Sequence, residues 1–132
     1  MSRAGGTRIL VVDDNEDLCR SLQMILEREG YEVECAHDGA GAAEIQSKRP
    51  SQVLITDLVM PDRDGIETIA EFKRDYPNVR VIAMSGGGHR MQGDKYLFAA
   101  GVAGAEVVLA KPFDPQQLMA AVRKLVPLPR TS

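Results

Sequence analysis

The sequence predicts an α/β fold: a doubly wound parallel sheet of five strands with helices on both faces. Three observations carry that prediction. Strand-type and helix-type segments alternate five times along 132 residues. The strand segments read as short apolar runs, the pattern of strands buried on both sides. A composition of 44% hydrophobic and 27% charged residues is the balance of a globular chain, at a length that suits one domain.

The elements follow in order. Residues 9–12 form a β-branched-rich run that ends at Asp13 and Asp14. Leu18, Leu22, Ile25 and Leu26 then recur at helical spacing until Gly30 stops the helix. Residues 31–36 alternate as a strand does, and Asp38 caps an Ala-rich helix that reaches Lys48. Residues 52–56 are a third strand ending at Asp57, and Asp64 and Glu67 have the spacing of N-cap and N3 in a capping box. That third helix runs to about Tyr76. Residues 79–84 form the fourth strand, and a glycine-rich loop over 86–88 leads into a helix that ends near Gly101. Residues 106–110 supply the fifth strand. Asp114 as N-cap, Pro115 at N1, Gln117 at N3 and the staple pair Phe113 and Leu118 open a last helix ending near Val126. Residues 1–7 and 127–132 read as loose ends around a domain over 8–126.

Composition excludes several classes. With 16 Lys and Arg against 19 Asp and Glu the net charge is −3, which argues against direct nucleic-acid binding through a generally basic surface. The longest uncharged stretch, 96–105, is far shorter than the ~20 apolar residues that span a bilayer, so no membrane association is expected. The N-terminus lacks the apolar core of a signal peptide. Two cysteines, Cys19 and Cys35, are too few for a disulfide framework and lack metal-site spacing, which points to a reducing cytoplasm. Both read as small core or boundary residues.

A five-stranded sheet of this kind takes the flavodoxin-like order 2-1-3-4-5, adopted by analogy, with its ligand site outside the carboxyl ends of the strands beside strand 1. Strand 1 ends in Asp13 and Asp14, strand 3 in Asp57, strand 4 in Ser85 and strand 5 in Lys111. Three carboxylates held together repel one another, and a hard divalent cation such as Mg²⁺ relieves the conflict. The acidic segment DDNED after strand 1 would repel a bare phosphate, and no P-loop pattern is present. Asp57, which follows a buried strand, is placed to act as a nucleophile toward phosphorus and form an aspartyl phosphate. Mg²⁺ and Lys111 would neutralise the transferring group while the Ser85 hydroxyl donates to a phosphoryl oxygen. Each residue alone also has a plain structural role. Asp14 or Asn15 can cap the first helix, with Glu16 and Asp17 favourable at its N-terminus, and His37 and His89 read as surface residues. Their joint placement on one edge is what singles the set out.

ILVVDDN at 9–15, LITDLVMPDRDG at 54–65, AMSG at 83–86 and AKPFDPQQL at 110–118 resemble, in order, the four signature segments of the receiver domain of two-component response regulators. The resemblance spans residues 9–126. It implies that Asp57 is the phosphoacceptor, phosphorylated by a phosphohistidine on a histidine kinase or histidine phosphotransfer protein. It further implies that Asp14, Asp57 and the backbone carbonyl of Val59 bind Mg²⁺, with Asp13 acting largely through water. Ser85 and Lys111 would contact the phosphoryl oxygens, across a cis Lys111–Pro112 peptide. Phosphorylation would shift the protein between two surface states and so control its binding to a downstream protein, or pass the group along a phosphorelay. With 132 residues, the implied protein is a stand-alone receiver, a monomer or weak homodimer, with no conventional enzyme turnover beyond its own phosphotransfer and autodephosphorylation.

Three departures from the family pattern bear on that expectation. Val108 replaces the aromatic residue usual three positions before the lysine, so the readout differs. The segment from Ser85 to Lys111 is longer than the common pattern by about one helical turn. Its sequence begins SGGGHRMQGD and holds Tyr96 and Phe98, and Gly86 and Gly87 permit the backbone there to reorder when phosphate binds. Val59 and Gly87 bring no polar side chain to positions that influence water attack, which predicts a persistent phosphorylated form. Two other functions compete. A haloacid-dehalogenase-like phosphatase with Asp13 as nucleophile would want an acid at Asn15, and a phosphorylation-independent interaction module would not need the full acidic set.

Overall fold

The computed structural model describes residues 7–58, 65–86 and 93–126. Ten alternating elements are seen among them: β1 (Arg8–Val12), α1 (Glu16–Arg28), β2 (Glu32–Ala36), α2 (Gly39–Lys48), β3 (Val53–Asp57), α3 (Gly65–Asp75), β4 (Arg80–Ser85), α4 (Gly93–Ala103), β5 (Val107–Ala110) and α5 (Pro115–Leu125). The strands pair in parallel in the order β2-β1-β3-β4-β5, as expected.

Alternation along each strand divides the core in two. Ile9 and Val11 of β1, Val53 and Ile55 of β3, and Ile82 and Met84 of β4 face the layer made by α1 and α5. Leu10, Val12, Leu54, Val81 and Ala83 face the opposite layer, where Ala42 of α2, Ile69 and Phe72 of α3 and Ala100 of α4 cover them. Both parities are apolar because both faces are covered, which is why the strands read as continuous apolar runs.

The helix ends follow from their capping chemistry. The Asn15 side chain accepts from the Leu18 N–H at 3.1 Å and Asp38 accepts from the Gly41 N–H at 2.7 Å. Asp114 and Gln117 form the expected reciprocal capping box at α5, at 2.8 and 2.9 Å. Asp64, the expected cap of α3, lies outside the described residues. Gly30, at φ 101°, ends α1 in the left-handed conformation that glycine adopts without steric cost.

The end of α4, expected near Gly101, falls at Ala103. Gly101 does not stop α4; the helix passes through it to Ala103 and is ended by Gly104, at φ 134°. The Ala105 N–H reaches back to the Ala100 carbonyl at 2.8 Å and the Gly104 N–H to Gly101 at 3.1 Å, the bonding of a left-handed C-terminal cap.

Candidate functional site

Asp13 follows the last residue of β1, Asp57 closes β3, Ser85 closes β4 and Lys111 follows β5, so the parallel register gathers all four at the carboxyl edge of the sheet. Asp57 keeps the parity of Val53 and Ile55, and Asp13 and Lys111 continue the parity of Val11 and Leu109. These three side chains therefore converge above the α1 and α5 layer.

Their contacts show the convergence directly. Lys111 Nζ donates to Asp13 Oδ2 at 2.7 Å and lies 3.5 Å from Asp57 Oδ2. Asp13 is only 1% exposed, and its other oxygen accepts from the Asn15 N–H at 2.9 Å. Its main chain is held as firmly, with the N–H donating to the Ala36 carbonyl at 3.1 Å and the Cys19 thiol lying 3.4 Å from its own carbonyl. Asp57 is buried and Asp14 exposed. The main-chain N–H of Lys111 donates to the Ser85 carbonyl at 2.8 Å, which fixes the half-buried Ser85 and the lysine beside each other. The Lys111–Pro112 peptide is cis.

Burial alone would pull the Lys111 ammonium below its ordinary pKa, but the hydrogen bond to Asp13 and the charges of Asp57 and Asp13 outweigh it and raise the value. The lysine is therefore a permanent cation at neutral pH. Asp13, Asp14 and Asp57 each offer a carboxylate oxygen within 4.8 Å of the others. Three carboxylates against one ammonium leave two negative charges, the charge of one divalent cation. An all-oxygen donor set of this kind fits Mg²⁺ in its chemistry.

The glycine-rich connection after β1 that would cradle a flavin or nucleotide phosphate is absent; Asn15 and the acids stand there instead. Asn15 also spends its side chain on capping α1, which leaves no second acid for the phosphatase mechanism. Val59, Gly87, His89 and the side chain of Tyr96 lie outside the described residues. Gly86 follows β4 with open space where a Cβ would project. His37 is exposed, with Nδ1 3.4 Å from the Asp13 carbonyl oxygen. Phe98 and Val102, four residues apart on α4, are 75% and 73% exposed, and Val108 on the edge strand β5 is 37% exposed. Gly86 directly follows Ser85 at the carboxyl edge, whereas Phe98, Val102 and Val108 lie on α4 and β5.

Two features are not legible in the spacing of motifs. Gly65, the first residue of α3, packs so closely behind Asp57 that a Cβ would overlap the Asp57 carbonyl oxygen and sit 2.8 Å from Leu58 Cα. Its N–H donates to the Leu58 carbonyl at 2.7 Å. The only sequence sign is its place at the end of the Asp57 segment. An apolar groove of about 500 Å³ also opens beside Lys111, lined by Leu18, Leu22 and Ile25 of α1 and by Pro112, Phe113 and Leu118.

A doubly wound α/β sheet whose switch-point edge carries an acid cluster, a lysine and a serine defines a class of flavodoxin-like domains with an acidic rather than a glycine-rich ligand edge. Residues 9–123 match the model of the response regulator receiver domain, and the chain belongs to that family. Among solved structures it is similar to a response regulator receiver domain protein from Clostridium thermocellum, at 30% identity and TM-score 0.81 over 91% of this chain and 94% of that one. The chemotaxis protein CheY4 of Vibrio cholerae is 25% identical with TM-score 0.83, over 91% and 98% of the two chains. NtrX from Brucella abortus is 26% identical with TM-score 0.83, and there the likeness covers 96% of this chain but 27% of the other. No helix among the described residues is long and apolar enough to cross a membrane.

Proposed function

We propose that this receiver is a phosphorylation-controlled signalling module in which Asp57 accepts a phosphoryl group from a phosphohistidine of a histidine kinase or histidine phosphotransfer protein. The observation that carries this reading is the placement of Lys111 Nζ against both Asp13 and Asp57 beside a three-carboxylate cluster. An Asp57 oxygen attacks phosphorus, the bond between phosphorus and the imidazole nitrogen breaks, and the imidazole leaves, taking up a proton. Asp14 and Asp57, with the Val59 carbonyl, would hold Mg²⁺, which supplies charge neutralisation to the phosphoryl oxygens. Both oxygens of Asp13 are engaged by Lys111 and the Asn15 N–H, which suits an indirect role through water. Lys111 turns from Asp13 toward the incoming phosphoryl oxygens, and Ser85 donates its hydroxyl to another.

A partner delivering the group must stand over the carboxyl edge, and the groove between α1 and the start of α5 gives it an apolar hold next to Lys111. Ile25→Glu should slow transfer from a phosphohistidine protein by about fivefold or more, the weight of an interface residue worth ~1 kcal/mol, while leaving uptake from a small phosphodonor unchanged. Equal loss with both donors would overturn the groove assignment.

The central test is incubation with a small phosphodonor and Mg²⁺, followed by intact mass. The chain should gain one phosphoryl group that Asp57→Asn cannot accept. Absence of an Asp57-dependent adduct would leave a phosphorylation-independent interaction module.

A further inference from the structure

We propose that Cys35 and Cys19 form a thiol–disulfide redox site, oxidised by hydroperoxides, directly behind the acidic cluster. Both cysteines are free, Cys19 on α1 and Cys35 on β2, and both belong to the core layer on the α1 and α5 face. Their contacts are reciprocal. Cys35 Sγ lies 3.4 Å from the carbonyl oxygen of Cys19 itself, and Cys19 Sγ lies 3.8 Å from the carbonyl oxygen of Ala36, the residue after Cys35. A disulfide needs Cα atoms within about 7 Å and side chains that point toward each other. The Cys35 sulfur lies against the main chain of Cys19 itself and the Cys19 sulfur against the residue that follows Cys35, which puts the two side chains in one contact region between α1 and β2.

The two thiols are unequal in a way that assigns their order of reaction. Cys19 is 1% exposed, whereas Cys35 is only partly buried and its sulfur also neighbours Gln23 Oε1 at 3.7 Å. A peroxide reaches the more exposed sulfur first, so Cys35 attacks and Cys19 resolves.

In the first step the Cys35 sulfur attacks one oxygen of the hydroperoxide. The O–O bond breaks, Cys35 becomes a sulfenic acid, and an alcohol (water, for hydrogen peroxide) leaves with the thiol proton. The Cys19 sulfur then displaces hydroxide from the Cys35 sulfur. The S–S bond forms, the S–O bond breaks, and hydroxide departs as water with the Cys19 proton. The two thiols lose two protons and two electrons to the peroxide, and a dithiol reductant reverses the change by exchange.

The site is joined to the acidic edge through the main chain. Cys19 Sγ lies 3.4 Å from the Asp13 carbonyl oxygen as well as beside the Ala36 carbonyl that accepts the Asp13 N–H. Drawing the Cys19 sulfur toward Cys35 removes it from both carbonyls, so oxidation is felt at the backbone of Asp13.

The test uses the full wild-type chain, treated with hydrogen peroxide, alkylated, and read by intact mass and peptide mapping. The expected result is loss of two hydrogens, protection of both thiols from alkylation, a peptide crosslinked between positions 19 and 35, full reversal by dithiothreitol, and a shifted Asp13 amide resonance. Cys35→Ser should abolish the reaction, and Cys19→Ser should leave Cys35 gaining oxygen instead. Oxygen added to wild-type Cys35 without loss of hydrogens would overturn the proposal. So would crosslinks only between chains, or thiols that remain alkylatable at a peroxide concentration that oxidises free glutathione.

Discussion

Lys111 brings one positive charge to three carboxylates, and its weight can be read from pH. Its folded-state pKa is raised, because the Asp13 bond and the charge of Asp57 outweigh burial. Such a group contributes stability that is fully present below the unfolded value, about 10.4 for lysine, and is lost as pH climbs through the higher folded value. In metal-free protein, the urea midpoint of Lys111→Met should therefore lie below wild type by a constant gap through neutral pH, and the two should converge in strong alkali. A gap that persists there would assign the lysine's effect to packing of its stem. Asp13, Asp14, Asp57, Ser85 and Lys111 were legible as residue types because each ends a strand, and parallel topology turns strand ends into neighbours. The partner choice was not legible. That Lys111 bonds Asp13 at 2.7 Å and stands off from Asp57 at 3.5 Å is set by how three strand ends, far apart in the chain, are placed against one another in space.

At the scale of elements, the connection from β3 to α3 carries the tightest constraint. Gly65 lies against the Asp57 carbonyl, so Gly65→Ala must push the helix off the strand or rotate the main chain at Asp57. Overpacking of this kind costs about 1–3 kcal/mol, and the measured loss in urea midpoint should be accompanied by a lower rate of phosphoryl uptake. Wild-type uptake in a destabilised Gly65→Ala would show that the helix, not Asp57, absorbs the strain. The sequence displays caps well, since Asn15, Asp38 and Asp114 each act on the N–H three residues on. It displays glycine roles poorly. Gly101 and Gly104 look alike as letters, and only the second stands where the chain must turn left-handed, close against the Lys73 side chain.

For the molecule as a whole, charge at one edge is set against packing everywhere else. The acidic cluster repels itself in the folded state and is relieved by whatever cation binds there, so Mg²⁺ should raise the thermal midpoint. Saturation at a hundred times the dissociation constant stabilises by about 2.7 kcal/mol, and Asp57→Asn should show a smaller response. An equal response in that variant would place the ion elsewhere. The fold class was legible because the central strands β1, β3 and β4 are apolar on both faces, and the same two-sided burial hid the in-and-out parity that decides which side chains meet. Asp13 and Lys111 lie 98 positions apart, and their bond crosses from the first strand to the last. That bond exists only when the fifth strand has joined the sheet. An unfinished or partly unravelled chain presents its acids without their ammonium, so under the proposed function competence to receive a phosphoryl group would double as a certificate that folding is complete.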